Sequence, residues 1–317
     1  MSTNNMIITV NNLTKSFKGT TVLKGVNFSV KRGGIFALLG SNGAGKTTTV
    51  KILSTLLSPD GGNIDIDGIN LAKNLKKVQE KISLTGQYAA VDEVLTGREN
   101  LKMICSLRGV PKKAQVAEEL LSRFELTSAA GRRVSGYSGG MRRKLDIAMS
   151  LIGNPSIIFL DEPTAGLDPQ GRLALWETIE SLAKSGTTIF LTTQYLEEAE
   201  RLADYIAILN DGVITAEGTV SELKKRLPGG VVEFSFGGEK DLNQAAKLLD
   251  SYKVRADEKS LTLSVITGDG IEHIADVFDR LKKGKVPVSR FEQKLPTLED
   301  VFLELIHENE KEVAQYV

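Results

Sequence analysis

Short apolar runs alternate along the chain with stretches whose apolar residues recur at helical spacing. Ile35-Phe36-Ala37-Leu38-Leu39, Ile157-Ile158-Phe159-Leu160 and Thr188-Ile189-Phe190-Leu191-Thr192 are continuous and bounded by turn residues, the pattern of strands buried on both faces. A helical stripe follows each: Val50, Leu53 and Leu57; Leu175, Trp176, Ile179, Leu182 and Ala183; and a helix from Tyr195. Met6 to Val10 and Val22 to Val30 predict strands around a loop containing Phe17. Asn63 to Gly68 alternates as an edge strand after the turn Ser58-Pro59-Asp60-Gly61-Gly62, and Ile82 to Thr85 is a further short strand. Two stripes lie between: Leu101, Ile104, Cys105 and Arg108, opened by a capping box of Thr96 and Glu99, then Val116, Leu120, Leu121 and Phe124. A fourth helix, capped by Ser138, carries Met141, Leu145, Ala148 and Ile152 on one face. Asn210-Asp211-Gly212 predicts a hairpin turn.

The pattern changes at Pro228-Gly229-Gly230, which reads as a linker and divides the chain into 1–228 and 229–317. Beyond it Val232, Phe234 and Phe236 alternate as a strand. Leu242, Ala245, Ala246 and Leu249 mark a helix, and Leu261, Leu263 and Val265 a strand. Ile271, Ile274, Ala275, Phe278 and Leu281 mark a second helix. Val286 and Val288 mark a strand that carries Pro287 and so belongs at an edge. Leu298, Val301, Phe302, Leu305 and Ile306 mark a last helix. With Lys253 to Ala256 as a strand, the order is βαββαβ plus a helix, a small α+β domain of ferredoxin-like type. It has no catalytic motif. His273 and His307, the only two histidines, sit on helices without a second ligand at metal-binding spacing.

Composition narrows the classes. The 317 residues suffice for two domains. With 40 basic and 40 acidic residues there is no global signal for nucleic acid. Residues 229–317 carry 12 basic and 17 acidic side chains, a net of −5, so 1–228 carry +5. The single cysteine, Cys105, excludes an internal disulfide and a cysteine metal cluster, and its place on an apolar stripe reads as a buried small hydrophobe. No apolar run approaches the ~20 residues that span a bilayer. The polar start Met1-Ser2-Thr3-Asn4-Asn5 lacks a signal peptide's apolar core. A soluble chain is expected, serving a membrane only through a partner.

The chemistry concentrates at strand ends. Gly40-Ser41-Asn42-Gly43-Ala44-Gly45-Lys46-Thr47 lies between a buried strand and a helix and fits the phosphate-loop pattern at every fixed position. Its glycines let backbone N–H groups turn inward around phosphate oxygens, and the following helix offers unpaired N–H groups and the positive end of its dipole. Lys46 would lie between the β- and γ-phosphates, and Thr47, with Thr48 beside it, would give its hydroxyl to Mg²⁺. Asp161 and Glu162 end a buried strand, where two carboxylates are costly without partners or a task. Beside a phosphate loop, Asp161 would hold Mg²⁺ and Glu162 would orient and deprotonate the attacking water. Gln194, at the end of another buried strand, can reach a γ-phosphate. Phe17 is either core or an aromatic plate for a purine ring.

In order, these elements are the phosphate loop, Gln87, Ser138-Gly139-Gly140, Asp161-Glu162, Asp168 and Gln194. From Ile7 to about Leu227 the set resembles the nucleotide-binding subunit of ABC transporters, an α/β phosphate-loop NTPase fold with a helical subdomain. The resemblance implies that Phe17 stacks on the adenine of ATP and that Gln87 touches Mg²⁺ and senses the transmembrane partner. It implies that Asp161 and Glu162 are the metal-binding and catalytic carboxylates and that Asp168 is the aspartate of the loop after them. Tyr137 to Met141 matches the signature motif, with Tyr137 and Met141 in place of the usual Leu and Gln. It implies that Ser138, Gly139 and Gly140 face the γ-phosphate held by another subunit, burying two ATP molecules in a twofold dimer. Gln194 replaces the usual switch histidine: an amide can donate to the γ-phosphate but cannot take up a proton. Slower turnover than in a histidine-bearing relative follows.

Thr192 to Ala199 and Pro296 to Leu303 resemble the daunorubicin/doxorubicin-resistance branch. There the ATPase pairs with a separate exporter-type permease, here an ABC-2-type permease at the cytoplasmic face of the membrane, and moves a drug or lipid-like molecule. The same small C-terminal domain occurs there. The alternatives are an ABC-type ATPase acting on ribosomes or nucleic acid, and a regulatory nucleotide sensor. A single cassette without a sustained heptad run speaks against the first, and the intact Glu162 against the second.

Overall fold

The computed structural model describes residues 5–227, 230–268, 270–294 and 296–305. Pro228 and Gly229 of the expected linker, and Ile306 and His307, lie outside the described residues. The chain packs as two units, Met1–Val220 and Ser221–Val317.

The first unit opens with two long strands, β1 (Met6–Phe17) and β2 (Thr20–Lys31), then the short β3 (Ile35–Leu39) and helix α1 (Lys46–Leu53). β4 (Gly61–Ile66), β5 (Ile69–Asn70), α2 (Leu75–Lys81) and β6 (Ile82–Thr85) follow. Next come α3 (Gly97–Leu107), α4 (Lys113–Arg123), α5 (Gly139–Ser150), β7 (Ile157–Asp161), α6 (Pro169–Lys184) and β8 (Thr188–Thr193). α7 (Leu196–Leu202), β9 (Tyr205–Asn210) and β10 (Val213–Gly218) complete it, and the division falls after the first residue of the short α8 (Val220–Lys224).

These strands form an antiparallel sheet of order β2-β1-β4-β5 and a mostly parallel sheet of order β10-β9-β3-β8-β7-β6. Every residue of β3, β7 and β8 is buried, as their unbroken apolar runs predict. The sheets share an apolar core in which Phe28 of β2 stacks on Phe36 of β3 at 5.4 Å, and Phe36 on Phe190 of β8 at 5.1 Å. Offset aromatic stacks of this kind add stabilisation beyond their buried area. The consequence for function is geometric. β3, β8 and β7 are parallel neighbours, so their carboxyl ends deliver the phosphate loop, Gln194 and Asp161-Glu162 to one edge, where open α/β sheets bind ligands.

Two local expectations change. Phe17 ends β1 rather than lying in a loop. The polar half of that strand pairs with β2 through its backbone, Thr14 opposite Lys24 and Phe17 opposite Thr20, so hydrophobic pattern does not reveal it. α1 stops at Leu53 instead of running to Leu57, and Thr55 has a positive φ of 67° that no helix tolerates. The capping box of Thr96 and Glu99 is formed, and Asp211 and Gly212, both at positive φ, make the predicted hairpin turn.

The second unit has β11 (Val231–Phe236), α9 (Glu239–Leu248), β12 (Lys253–Asp257), β13 (Thr262–Ile266), α10 (Ile271–Lys283), β14 (Val288–Lys294) and a helix over 298–305. The sheet order is β12-β13-β11-β14, and each neighbouring pair is antiparallel. Val232, Phe234, Leu263 and Val265 bury one face against Leu242, Ala245, Val277 and Leu281 of the helices. Pro287 lies just before β14, an edge strand, where a missing N–H disturbs no ladder.

Candidate active site

The loop after β3 returns the chain tightly onto itself. Gly45 has φ 110°, and a Cβ there would lie 2.6 Å from Leu23 Cδ2; at Gly40 it would lie 2.3 Å from the Leu209 carbonyl oxygen. Both positions therefore require glycine. Gly45 is also the N-cap of α1 and supplies no capping side chain, which leaves first-turn N–H groups for an anion. Lys46, the first helical residue, is only 4% exposed. Its Nζ donates to the carbonyls of Gly40 (2.9 Å) and Ser41 (3.0 Å) and lies 3.5 Å from Glu162 Oε1. Burial lowers its pKa, opposed by the Glu162 and Asp161 carboxylates.

Asp161 and Glu162 close the other side. The Thr192 hydroxyl donates to Asp161 Oδ1 at 2.5 Å, and the Thr47 hydroxyl reaches the same oxygen at 3.3 Å. The Glu162 N–H donates to the Thr192 carbonyl (3.1 Å) and to its hydroxyl (3.2 Å). Glu162 adopts a left-handed φ of 48°. That conformation is costly for a non-glycine residue and persists only where neighbours enforce it, often at functional sites. Gln87 Nε2, from the segment after β6, donates to Glu162 Oε2 at 3.3 Å.

The structure thus brings together Lys46, Thr47, Gln87, Asp161 and Glu162. Of the rest of the loop, Ser41, Asn42 and Gly43 are exposed, Ala44 is buried and Thr48 is half-buried. Gln194 is half-buried and follows Thr193 of β8. Phe17 is 43% exposed, with Lys15 Nζ 5.5 Å from its ring centroid, so it is not a core residue. Ser138 caps α5 by accepting from the Met141 N–H at 3.3 Å, while a Cβ at Gly139 or Gly140 would meet Leu167 or Gly171. Among the described residues no hydrogen bond joins Ser138, Gly139 or Gly140 to the phosphate loop. Asp168 is exposed and caps α6 through the Gly171 N–H at 2.6 Å. Cys105 is fully buried, and burial pushes its thiol pKa up.

Arg143 is the residue that sequence alone did not find. It lies about one turn into the fourth predicted helix, is 4% exposed, and donates to the carbonyls of Gly86 (2.5 Å), Pro163 (2.9 Å) and Asp161 (3.3 Å). It therefore joins α5 to the segment before Gln87 and to both sides of Glu162. Asp146, 3.4 Å away, is its carboxylate partner. Burial pushes the Asp146 pKa up to about 6, with Arg143 opposing. Asp146, an acidic residue three positions after Arg143 and beside the apolar Leu145 and Ile147, was the available signal.

Among the described residues no three histidine, cysteine, aspartate or glutamate side chains converge as a metal centre. The Thr47 hydroxyl, the Asp161 carboxylate and the Gln87 amide nevertheless make an all-oxygen donor set beside a phosphate loop. That set fits Mg²⁺, which is held by few protein ligands together with waters and substrate phosphates.

Comparison with known proteins identifies the family. The family model described as ABC transporter matches residues 23–165, and that of the ATP-binding protein DrrA1-3-like C-terminal domain matches residues 218–306. The chain is 42% identical to the daunorubicin resistance ATP-binding protein DrrA3 of Streptomyces coeruleorubidus, covering 94% of this chain and 95% of that one. It is 41% identical to the doxorubicin resistance ATP-binding protein DrrA of Mycobacterium tuberculosis, covering 96% and 94%. Among solved structures, the dimeric post-hydrolysis ATP-binding cassette MJ0796 bound to ADP and Pi superposes with a TM-score of 0.60 at 27% identity, over 67% of this chain and 98% of that one. With about 40% identity over nearly the whole of both chains and both family models matched, the chain belongs to the DrrA family of ABC transporter ATPase subunits.

Proposed function

We propose that this protein is the ATPase subunit of an exporter that moves a drug or other lipid-like molecule through a separate ABC-2-type permease, docked at the cytoplasmic face of the membrane. The observation that carries the ATPase half is the contact of Lys46 and Gln87 with Glu162 beside the Thr47–Asp161 pair. The names of the relatives as daunorubicin and doxorubicin resistance proteins support the export half. Among the described residues no helix is long and apolar enough to cross a membrane, so the transport path belongs to the permease.

In this reading ATP is held by the loop from Gly40 to Thr48, with Phe17 against the adenine. Lys46 exchanges its carbonyl partners for phosphate oxygens. Mg²⁺, held by Thr47, Asp161 and Gln87, supplies charge neutralisation at the phosphates when bound. Glu162 accepts a proton from the attacking water, and its left-handed backbone aims the carboxylate into the site. Gln194 donates to the γ-phosphate without taking up a proton, so turnover is slow. Ser138, Gly139, Gly140 and Asp168 act in trans: Ser138, Gly139 and Asp168 are exposed and Gly140 is half-buried, and this position away from their own phosphate loop leaves them for a second subunit in an ATP-bound twofold dimer. Gln87 passes the state of the site to the permease. No nucleic-acid partner is proposed.

We take the functional division as 1–228 and 229–317; the two compact units part nearby, at 220/221. We read the second as ferredoxin-like, and the sheet order β12-β13-β11-β14 with antiparallel neighbours supports that reading.

The test is affinity purification of the tagged protein from membranes of its own host. Stoichiometric recovery of a multi-span membrane protein is expected. Recovery with ribosomes or DNA and no membrane protein would overturn the transport reading and leave the ATPase standing.

A further inference from the structure

The Arg143 guanidinium holds the backbone from which two side chains of the site hang. Its Nε donates to the Pro163 carbonyl at 2.9 Å and its Nη2 to the Asp161 carbonyl at 3.3 Å, so one planar group grips the chain on both sides of Glu162. Its Nη1 donates to the Gly86 carbonyl at 2.5 Å, one residue before Gln87, and lies 3.4 Å from Asp146 Oδ2. The Ala90 N–H lies against the same Asp146 carboxylate. The segment that carries Gln87 is thus held near both ends by a charged pair on one helix, α5. Arg143 and Asp146 are each 4% exposed. A buried ion pair is a weak source of stability, since apolar side chains of similar volume often serve as well. Stability alone therefore does not account for the pair.

Little else sets the direction of the Glu162 side chain. Its contacts with Gln87 Nε2 at 3.3 Å and Lys46 Nζ at 3.5 Å are long. Its left-handed φ of 48° persists only where neighbours impose it. Two neighbours do so. Thr192 of β8 accepts from the Glu162 N–H through its carbonyl and its hydroxyl. Arg143 of α5 takes the carbonyls on either side of Glu162. A guanidinium presents its N–H groups as a rigid planar fork, whereas a lysine ammonium is a point charge on a flexible stem. Three carbonyls from two segments call for the fork.

We infer that Arg143 is a positioning residue for the hydrolysis step. From α5 it fixes the turn at Glu162 and the start of the Gln87 segment, and so sets the Glu162 carboxylate and the Gln87 amide where the attacking water is activated. It acts through Glu162 and meets neither nucleotide nor water. The inference rests on the proposed role of Glu162 as proton acceptor. A displacement of about 1 Å can forfeit a reactive geometry. Loosening this grip therefore lowers turnover and leaves nucleotide affinity, which belongs to the loop after β3, in place.

The test uses the full-length protein, with MgATP hydrolysis and equilibrium titration of a fluorescent ATP analogue read on each variant. Arg143→Lys keeps the charge and loses the fork. It should lower kcat about 10- to 100-fold, with analogue affinity within about twofold of wild type. Arg143→Gln with Asp146→Asn removes both buried charges together and leaves neither unpaired. It should show the same split, and it replaces the lysine variant where that one does not fold. The deciding readout is a cycle with Glu162→Gln. Groups that act as one unit are not additive, so in the Glu162→Gln background the Arg143 variants should lower the remaining turnover less than about twofold. A merely structural contact would lower it by the same factor in both backgrounds. Equal proportional losses in the two backgrounds, or loss of analogue affinity in step with turnover, would overturn the proposal. So would wild-type turnover in the Arg143 variants where Glu162→Gln is inactive. Wild-type turnover in Glu162→Gln itself would overturn the role of Glu162, and this proposal with it.

Discussion

Lys46 holds its charge where a lone ammonium would be costly, and two backbone carbonyls with one carboxylate offset that cost. In the proposed function the same group holds phosphate. Lys46→Ala is therefore expected to weaken ATP binding roughly 10- to 100-fold, the range for a lost charged hydrogen bond, as measured by equilibrium titration of a fluorescent analogue. Retained affinity would remove Lys46 from this role. Asp146 gives a prediction in pH. Its pKa is about 6 in the fold, above its ordinary value of 3.8, so the folded state binds that proton more tightly than the unfolded chain. The stabilisation is complete below about pH 4 and is lost as pH rises through 6, up to about 3 kcal/mol. Urea unfolding of the wild type should therefore lose stability between pH 4.5 and 7 relative to Asp146→Asn, which cannot titrate; parallel profiles would exclude the effect.

At the scale of elements, α6 begins at Asp168, a cap to which the proposed function gives a second task. Asp168 caps the helix by accepting from the Gly171 N–H, with Pro169 at the first helical position. Asp168→Ala should cost about 1 kcal/mol in urea unfolding, whereas asparagine caps about as well as aspartate. If Asp168 also acts across the subunit interface, Asp168→Asn will keep stability and lose turnover. Full turnover in that variant would leave Asp168 as a cap alone. The elements themselves were mostly legible, because buried strands such as β3, β7 and β8 are continuous apolar runs with one reading. The polar half of β1 was not, since it pairs through backbone alone. Arg143 was not either, because it stands in the basic run Arg142-Arg143-Lys144, and basic residues in a helix ordinarily face water.

For the whole molecule the proposed function turns on a nucleotide-bound dimer. Glu162→Gln should retain ATP and hold two cassettes together, with turnover reduced about 10²- to 10⁴-fold. The dimer should be read by sedimentation velocity. A monomer in the presence of ATP and Mg²⁺ would count against action of Ser138, Gly139 and Gly140 across the interface.

What the sequence determined by itself is what depends on local spacing. The phosphate loop requires its glycines at fixed steps between strand and helix, Asp161-Glu162 requires an apolar run before it, and caps require Ser138 and Thr96 one residue before their helices. The βαββαβ order of the C-terminal unit followed in the same way from periodicity. Tertiary structure decided what depends on proximity between distant segments. Thr192 gives its hydroxyl to Asp161, Arg143 gathers the carbonyls of Gly86, Asp161 and Pro163, and Phe17 stays outside the core. Sheet order decided that β14 lies at an edge. The physical reason is common to all four. A hydrogen bond or an open edge between residues far apart in the chain leaves no periodic trace along it, whereas burial of a strand or helix face does.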